Sequence, residues 1–294
     1  MRAVSCVHFP GGMRLGRESG NIEDRRGISM GGVGLPLGGG VGGLILLLLI
    51  SWVTGTNPLD LISTTSSVPQ DQTVGTSGVR DNDPQAHFIA QVLADTEDTW
   101  REVFRQRGNA YVPPVLVLFD GATQSACGVG RSEVGPFYCS ADRKVYLDLS
   151  FFRELDERFG APGDFAQAYV VAHEVGHHVQ NLLGISEAVA AQRERADDRQ
   201  SNALSVRLEL QADCYAGVWG HFAQSRGLLD PGDVDEGLNA AAAIGDDRLQ
   251  RMARGEVIPE TFTHGSSVDR VRWLRRGLDG GTVESCDTFS NGTH

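Results

Sequence analysis

His173-Glu-Val-Gly-His177 sets two histidines four residues apart, with a glutamate beside the first. On an α-helix, positions four apart share a face, so both imidazoles can meet one metal ion while Glu174 reaches a water beside it. Those groups are the minimum for metal-assisted hydrolysis of an amide bond. The surroundings are helical in character. Phe165, Tyr169, Ala172, Val179, Leu182 and Leu183 recur as an apolar stripe; Asp164 with Gln167 offers an N-cap and capping-box pair, and Gly184 a stop.

A catalytic zinc takes three protein ligands and keeps one position open. The residues after His177 do not continue as His-x-x-Gly-x-x-His, so the third ligand must come from elsewhere. The stretch Arg207-Leu-Glu-Leu-Gln-Ala-Asp213 offers Glu209. Asp213 lies one helical turn on, placed to accept a hydrogen bond from the non-ligating nitrogen of a zinc histidine. Leu208, Leu210, Tyr215, Val218 and Trp219 surround both acids and argue against a solvated face. The small Ala212, Ala216 and Gly217 would let this helix approach the first closely. His178 points about 100° away from His177 and reads as packing.

With these residues in view, the pairing of His-Glu-x-x-His and a downstream Glu-x-x-x-Asp resembles the gluzincin arrangement of thermolysin-like metallopeptidases. More narrowly, the chain resembles a bacterial neutral zinc metallopeptidase family of membrane-anchored proteins. The matching segments are 21–27, 135–139, 145–148, the histidine helix, 208–219, 263–265 and 286–289. Together they reach from about residue 13 to the end. Residues 1–12 fall outside the resemblance and read as the product of a misassigned start. The resemblance implies a zincin-like endopeptidase with one catalytic Zn2+ and a peptide or protein substrate. It also implies an edge strand before the zinc helix that pairs with substrate, placed on Val145, Tyr146 and Leu147. It further implies a late-loop His264 with Arg270 as partners of the carbonyl oxygen on which charge grows. In the expected mechanism Glu174 takes the proton of the attacking water and later delivers it to the departing amine. The rival reading is a non-catalytic, membrane-tethered zinc-binding or assembly module.

The elements that must position these groups follow from pattern. Residues 28–53 run without a charge, enough to cross a bilayer, and no Ala-x-Ala site follows. Arg25 and Arg26 precede that run, which predicts a single-pass anchor with residues 1–27 cytoplasmic and the catalytic domain extracytoplasmic. Residues 54–83 read as a flexible linker, rich in Ser, Thr, Gly and Asn, and 84–294 as one domain. The net charge of −12 argues against nucleic-acid binding.

Setting Cys6 aside leaves four cysteines in the predicted extracytoplasmic domain. Pairing Cys127 with Cys139 would close a short loop and leave Cys214 with Cys286; buried free thiols are the alternative. Short strands are predicted at 115–119, 137–139 and 144–148, and helices at about 87–107, 150–159, 165–183, 187–226 with a break near Ser201, 231–253 and 266–278. A small antiparallel sheet beside these helices makes the expected fold α+β.

Overall fold

Ile22, Leu116 and Val145 stand side by side on three parallel strands. In the computed structural model, which describes residues 12–27 and 76–290, β1 (Ile22–Asp24) lies between antiparallel β2 (Thr76–Ser77) and parallel β3 (Val115–Leu118). A hairpin of β4 (Ala122–Ser125) and β5 (Gly128–Arg131) stands apart. β6 (Phe137–Cys139) and β7 (Lys144–Leu147) then complete the main sheet in the order β2-β1-β3-β7-β6. The sheet is mixed, not antiparallel as expected. Its alternation is regular: Leu116, Leu118, Val145 and Leu147 join the helical core, whereas Val117, Phe119 and Tyr146 pack on the other face.

The helices run as α1 (Pro84–Gln106), α2 (Ser150–Glu157), α3 (Asp164–Leu182), α4 (Ile185–Arg193), α5 (Asp198–Ser225), α6 (Asp233–Ala243), α7 (Asp246–Arg254) and α8 (Ser267–Gly280). The break expected near Ser201 falls a few residues earlier, and a second predicted long helix is divided as well. The first breaks before Asp197, whose side chain forms a capping box with Gln200 and starts α5. The second breaks at Gly245, where a Cβ would stand 2.4 Å from the Ser267 amide nitrogen. Close approach of α8 to that turn leaves no room for a side chain. α3 is capped by Gly163, with φ of 123°, and not by Asp164, its first residue. Asp164 instead accepts the Met13 amide N–H, which ties the N-terminal segment to the start of the metal helix.

Two expectations fail here for topological reasons. β7 is paired on both sides, by β3 and β6, so Val145, Tyr146 and Leu147 have no free edge to offer a substrate backbone. Among the described residues β6 is the edge on that side, and Tyr138 anchors it to α3 through His178 and Asn181. The single-pass anchor is not supported either. Among the described residues no helix is long and apolar enough to cross a membrane, and the predicted span 28–53 lies outside them. Asp24 and Thr76, which bracket that span, are strand partners. A single crossing would put them on opposite sides of a bilayer, and would separate β1 from β3. The expected cytoplasmic N-terminus with an extracytoplasmic catalytic domain is corrected for the same reason.

α5 crosses α8 at backbone contact. A Cβ on Gly217 would lie 2.2 Å from the Leu274 carbonyl oxygen, and one on Gly277 would lie 2.0 Å from that of Cys214. The Cys214–Cys286 disulfide closes beside this crossing, and Cys127–Cys139 joins the start of β5 to β6. Gly277→Ala is expected to cost about 1–3 kcal/mol, the usual scale of overpacking, read as a fall in the urea midpoint with zinc present.

Candidate metal centre

The middle turns of α3 and α5 touch where Gly176 faces Ala212; a Cβ on Gly176 would meet the Ala212 carbonyl oxygen at 2.9 Å. That contact sets Glu209, one turn before Asp213, opposite the two histidines. His173 Nε2 lies 3.2 Å from Glu209 Oε2, and His177 Nε2 lies 3.4 Å from Glu209 Oε1. Tetrahedral ligands about 2.0–2.1 Å from a zinc ion stand about 3.3 Å apart, and each histidine nitrogen stands at about that spacing from one Glu209 oxygen. The sequence-predicted set His173, His177 and Glu209 is thus brought together, and it can hold a metal.

Both ring Nδ1 atoms are engaged, which turns both Nε2 atoms toward Glu209. His173 Nδ1 donates to Asp213 Oδ1 at 2.8 Å. His177 Nδ1 donates to Gln180 Oε1 at 2.9 Å. Gln180 is fixed in turn by donating to the Leu208 carbonyl and to Gln211, which donates to the Cys286 carbonyl. Sequence reading assigned Asp213 and missed Gln180, although a residue three positions after a ligand on the same helix is a natural partner.

Asp213 is fully buried, and three more donors converge on it. Arg270 donates through Nε to Oδ2 and through Nη2 to Oδ1, both at 2.9 Å, and Tyr169 donates its hydroxyl to Oδ1 at 2.5 Å. Burial alone would raise the Asp213 carboxyl, but the charges of Arg270 and His173 outweigh it and hold it below the usual range. Arg270 also reaches Tyr169 and the Ile244 carbonyl. It is 2% exposed and lies behind His173. The expectation that it meets a substrate carbonyl is therefore corrected: its guanidinium is consumed by Asp213. Tyr169, read from sequence as core only, belongs to the same junction.

The two glutamates are driven apart. Burial raises the Glu174 carboxyl, and among the described residues that carboxylate has no hydrogen-bond partner. Burial also acts on Glu209, but the facing charge of His177 and the hydrogen bonds of both histidines take it well below the ordinary value. Burial lowers His173, and the Asp213 and Glu209 carboxylates overcome it, to about 10. A metal ion would replace that proton as the partner of Glu209. One carboxylate is suited to bind a cation and the other to take a proton.

His264 lies in the loop before α8. Asp246, at the start of α7, accepts the amide N–H groups of Thr263, His264 and Gly265 on one oxygen and faces the His264 ring with the other. That hydrogen bond, against burial, raises the His264 pKa, and the Glu209 charge adds to it. The ring remains 54% exposed. A second acidic group, Asp164 with Asp233 and Glu236, could also hold a cation by spacing alone. Its members accept the amide N–H groups of Met13, Asp230 and Phe165, as residues that shape a helix start do.

Residues 13–289 match the family described as putative neutral zinc metallopeptidase. The chain belongs to that family. It is 51% identical over 278 residues to the uncharacterized protein YpfJ of Escherichia coli K12, covering 93% of this chain and 96% of that protein. It is 42% identical over 214 residues to the uncharacterized protein Rv2575 of Mycobacterium tuberculosis H37Rv, covering 69% of this chain and 71% of that one. No solved structure matches significantly. The match to the family begins at Met13 and takes in β1, in keeping with the place of that strand inside the sheet.

Asp213→Asn is expected to weaken zinc binding by about 10–100-fold, the usual effect of removing a carboxylate behind a ligand histidine. Competition with a chromogenic chelator measures it.

Proposed function

We propose that the protein is a zinc endopeptidase whose general base is Glu174. The observation that carries this reading is the three-donor cluster of His173, His177 and Glu209 with an unpartnered, buried Glu174 beside it. A structural zinc site is closed by four protein ligands, and among the described residues no fourth His, Cys, Asp or Glu joins this group. When bound, zinc supplies Lewis acidity and makes water acidic enough to be deprotonated near neutrality.

The chain's own residues perform the proton transfers and the positioning. Glu174, whose carboxylate burial makes a stronger base, accepts a proton from the attacking water and returns it to the leaving amine. Asp213 and Gln180 hold both imidazoles in one tautomer and orientation. His264, whose pKa the Asp246 carboxylate raises, supplies positive charge to the oxygen of the attacked carbonyl when protonated. Among the described residues the outer edge of β6 carries no strand, and an extended substrate backbone can add there as a further one.

Glu174→Gln should retain zinc and lose at least about two orders of magnitude in kcat, the scale of a general base; His173→Ala should lose the metal by elemental analysis. A peptide-library digest with the zinc-loaded protein, with and without chelator, tests the activity itself. Chelation that unfolds the protein, with no cleavage in any condition, would instead favour the non-catalytic zinc module. His264→Ala gives a separate prediction. Its imidazolium is present below its raised pKa and lost as pH rises through it, so wild-type kcat should fall along that alkaline limb. The variant should start about 100-fold lower and lack the limb.

A further inference from the structure

A cavity of about 720 Å³ lies beside the His264 loop, with Phe262, Gly265 and Ser266 in its lining. α5 forms one wall through Arg199, Ala203, Val206 and Leu210, which recur at helical spacing. Pro259, Phe262 and Trp273 add to its apolar lining. The cavity wall adjoins the metal centre in sequence. Leu210 directly follows Glu209, and Gly265 directly follows His264. Asn202, also in the lining, lies two turns before Glu209 on the same stripe of α5. Gly265, with φ of 90°, keeps the partition thin: a Cβ there would stand 3.1 Å from the Leu210 side chain.

The charge of this cavity runs against that of the whole chain. Arg199, Arg207 and Arg272 line it, against Glu260 and Asp269, in a protein of net charge −12. Arg272 is spent on Asp269 at 2.9 Å. Among the described residues Arg199 and Arg207 have no carboxylate partner. The cavity therefore combines an apolar floor with two available guanidinium groups, each able to take a carboxylate in two-pronged fashion.

We infer that this cavity is a substrate subsite that receives a peptide segment carrying a carboxylate side chain next to an apolar one, with Arg199 and Arg207 as the recognising groups. The inference rests on the peptidase reading of the metal centre and adds the substrate class. An apolar residue fills the floor of Val206, Leu210 and Trp273 while its acidic neighbour reaches the guanidinium rim. His264 and Glu209 then stand within one residue of the cavity wall, so the same chain can pass the metal centre.

The experiment uses the full-length, zinc-loaded Glu174→Gln protein and fluorescein-labelled peptides in which a Leu-Glu pair is walked through an otherwise small, neutral sequence. Leu-Gln and Leu-Lys sets serve as counterparts, and binding is read by fluorescence polarisation. The Glu set should bind about five-fold tighter than the Gln set, the scale of one or two exposed ion pairs, with the Lys set weakest. Arg199→Glu with Arg207→Glu should invert that order with zinc content unchanged, and Arg207→Gln alone should narrow it. Equal affinity for all three sets, or a Glu preference that survives both variants, overturns the subsite. The same peptides offered to wild type separate the two readings. If none is cut, the peptidase reading falls while the polarisation ranking still decides the cavity.

Discussion

The buried carboxylate of Asp213 is the constraint around which this protein is assembled. A charge taken fully out of water costs several kcal/mol unless opposite charge and hydrogen bonds replace its hydration. Here the replacement comes from two neighbouring helices at once: Tyr169 and His173 of α3 and Arg270 of α8 all donate to Asp213 of α5. Arg270 also donates to the Tyr169 hydroxyl and the Ile244 carbonyl, which closes the network around the carboxylate. Fixing the junction therefore fixes the relative placement of the helices, and the orientation of His173 follows from that placement.

Close packing makes the junction possible. Gly176 against Ala212 brings α3 and α5 together at the level of the ligands, and Gly217 with Gly277 lets α5 and α8 meet backbone to backbone. The Cys214–Cys286 bond, one residue from Asp213, links the same region to the chain end, and Gln211 reaches the Cys286 carbonyl from there. Through Gln180 this second network ends on His177. Each ligand histidine is thus held by its own buried chain of hydrogen bonds, one ionic and one neutral. The Glu209 carboxylate is positioned by the helix that carries Asp213, so the three candidate donors and their supports are held by the same pair of helices.

The sheet contributes differently. Its three parallel strands bury β1 between β2 and β3, so a segment that composition reads as a prelude to a membrane span is structural. Removing residues 13–27 would leave one edge of β3 unpaired and expose Leu116 and its neighbours. The same strand order leaves β6 at the edge nearest the metal helix, with Tyr138 as the tie between them.

The sequence by itself determined the local chemistry: helical periodicity puts His173 and His177 on one face with Glu174 beside them, and Glu209 one turn before Asp213, because these are relations within four residues on a helix. It also marked the helices, and the four cysteines that pair. What only the tertiary structure decided are relations between distant segments. Arg270 and His264 are neighbours in the chain, yet one is sealed behind His173 and the other faces the Glu209 side, because α8 turns Arg270 into the core just after the loop. Whether Val145–Leu147 or Phe137–Cys139 is the open edge depends on strand order, to which alternation within a strand is blind. The charge-free run at 28–53 has the hydropathy of a span, but the pairing of Asp24 with Thr76, a contact between residues 52 apart in sequence, is set by the sheet and not by any local pattern.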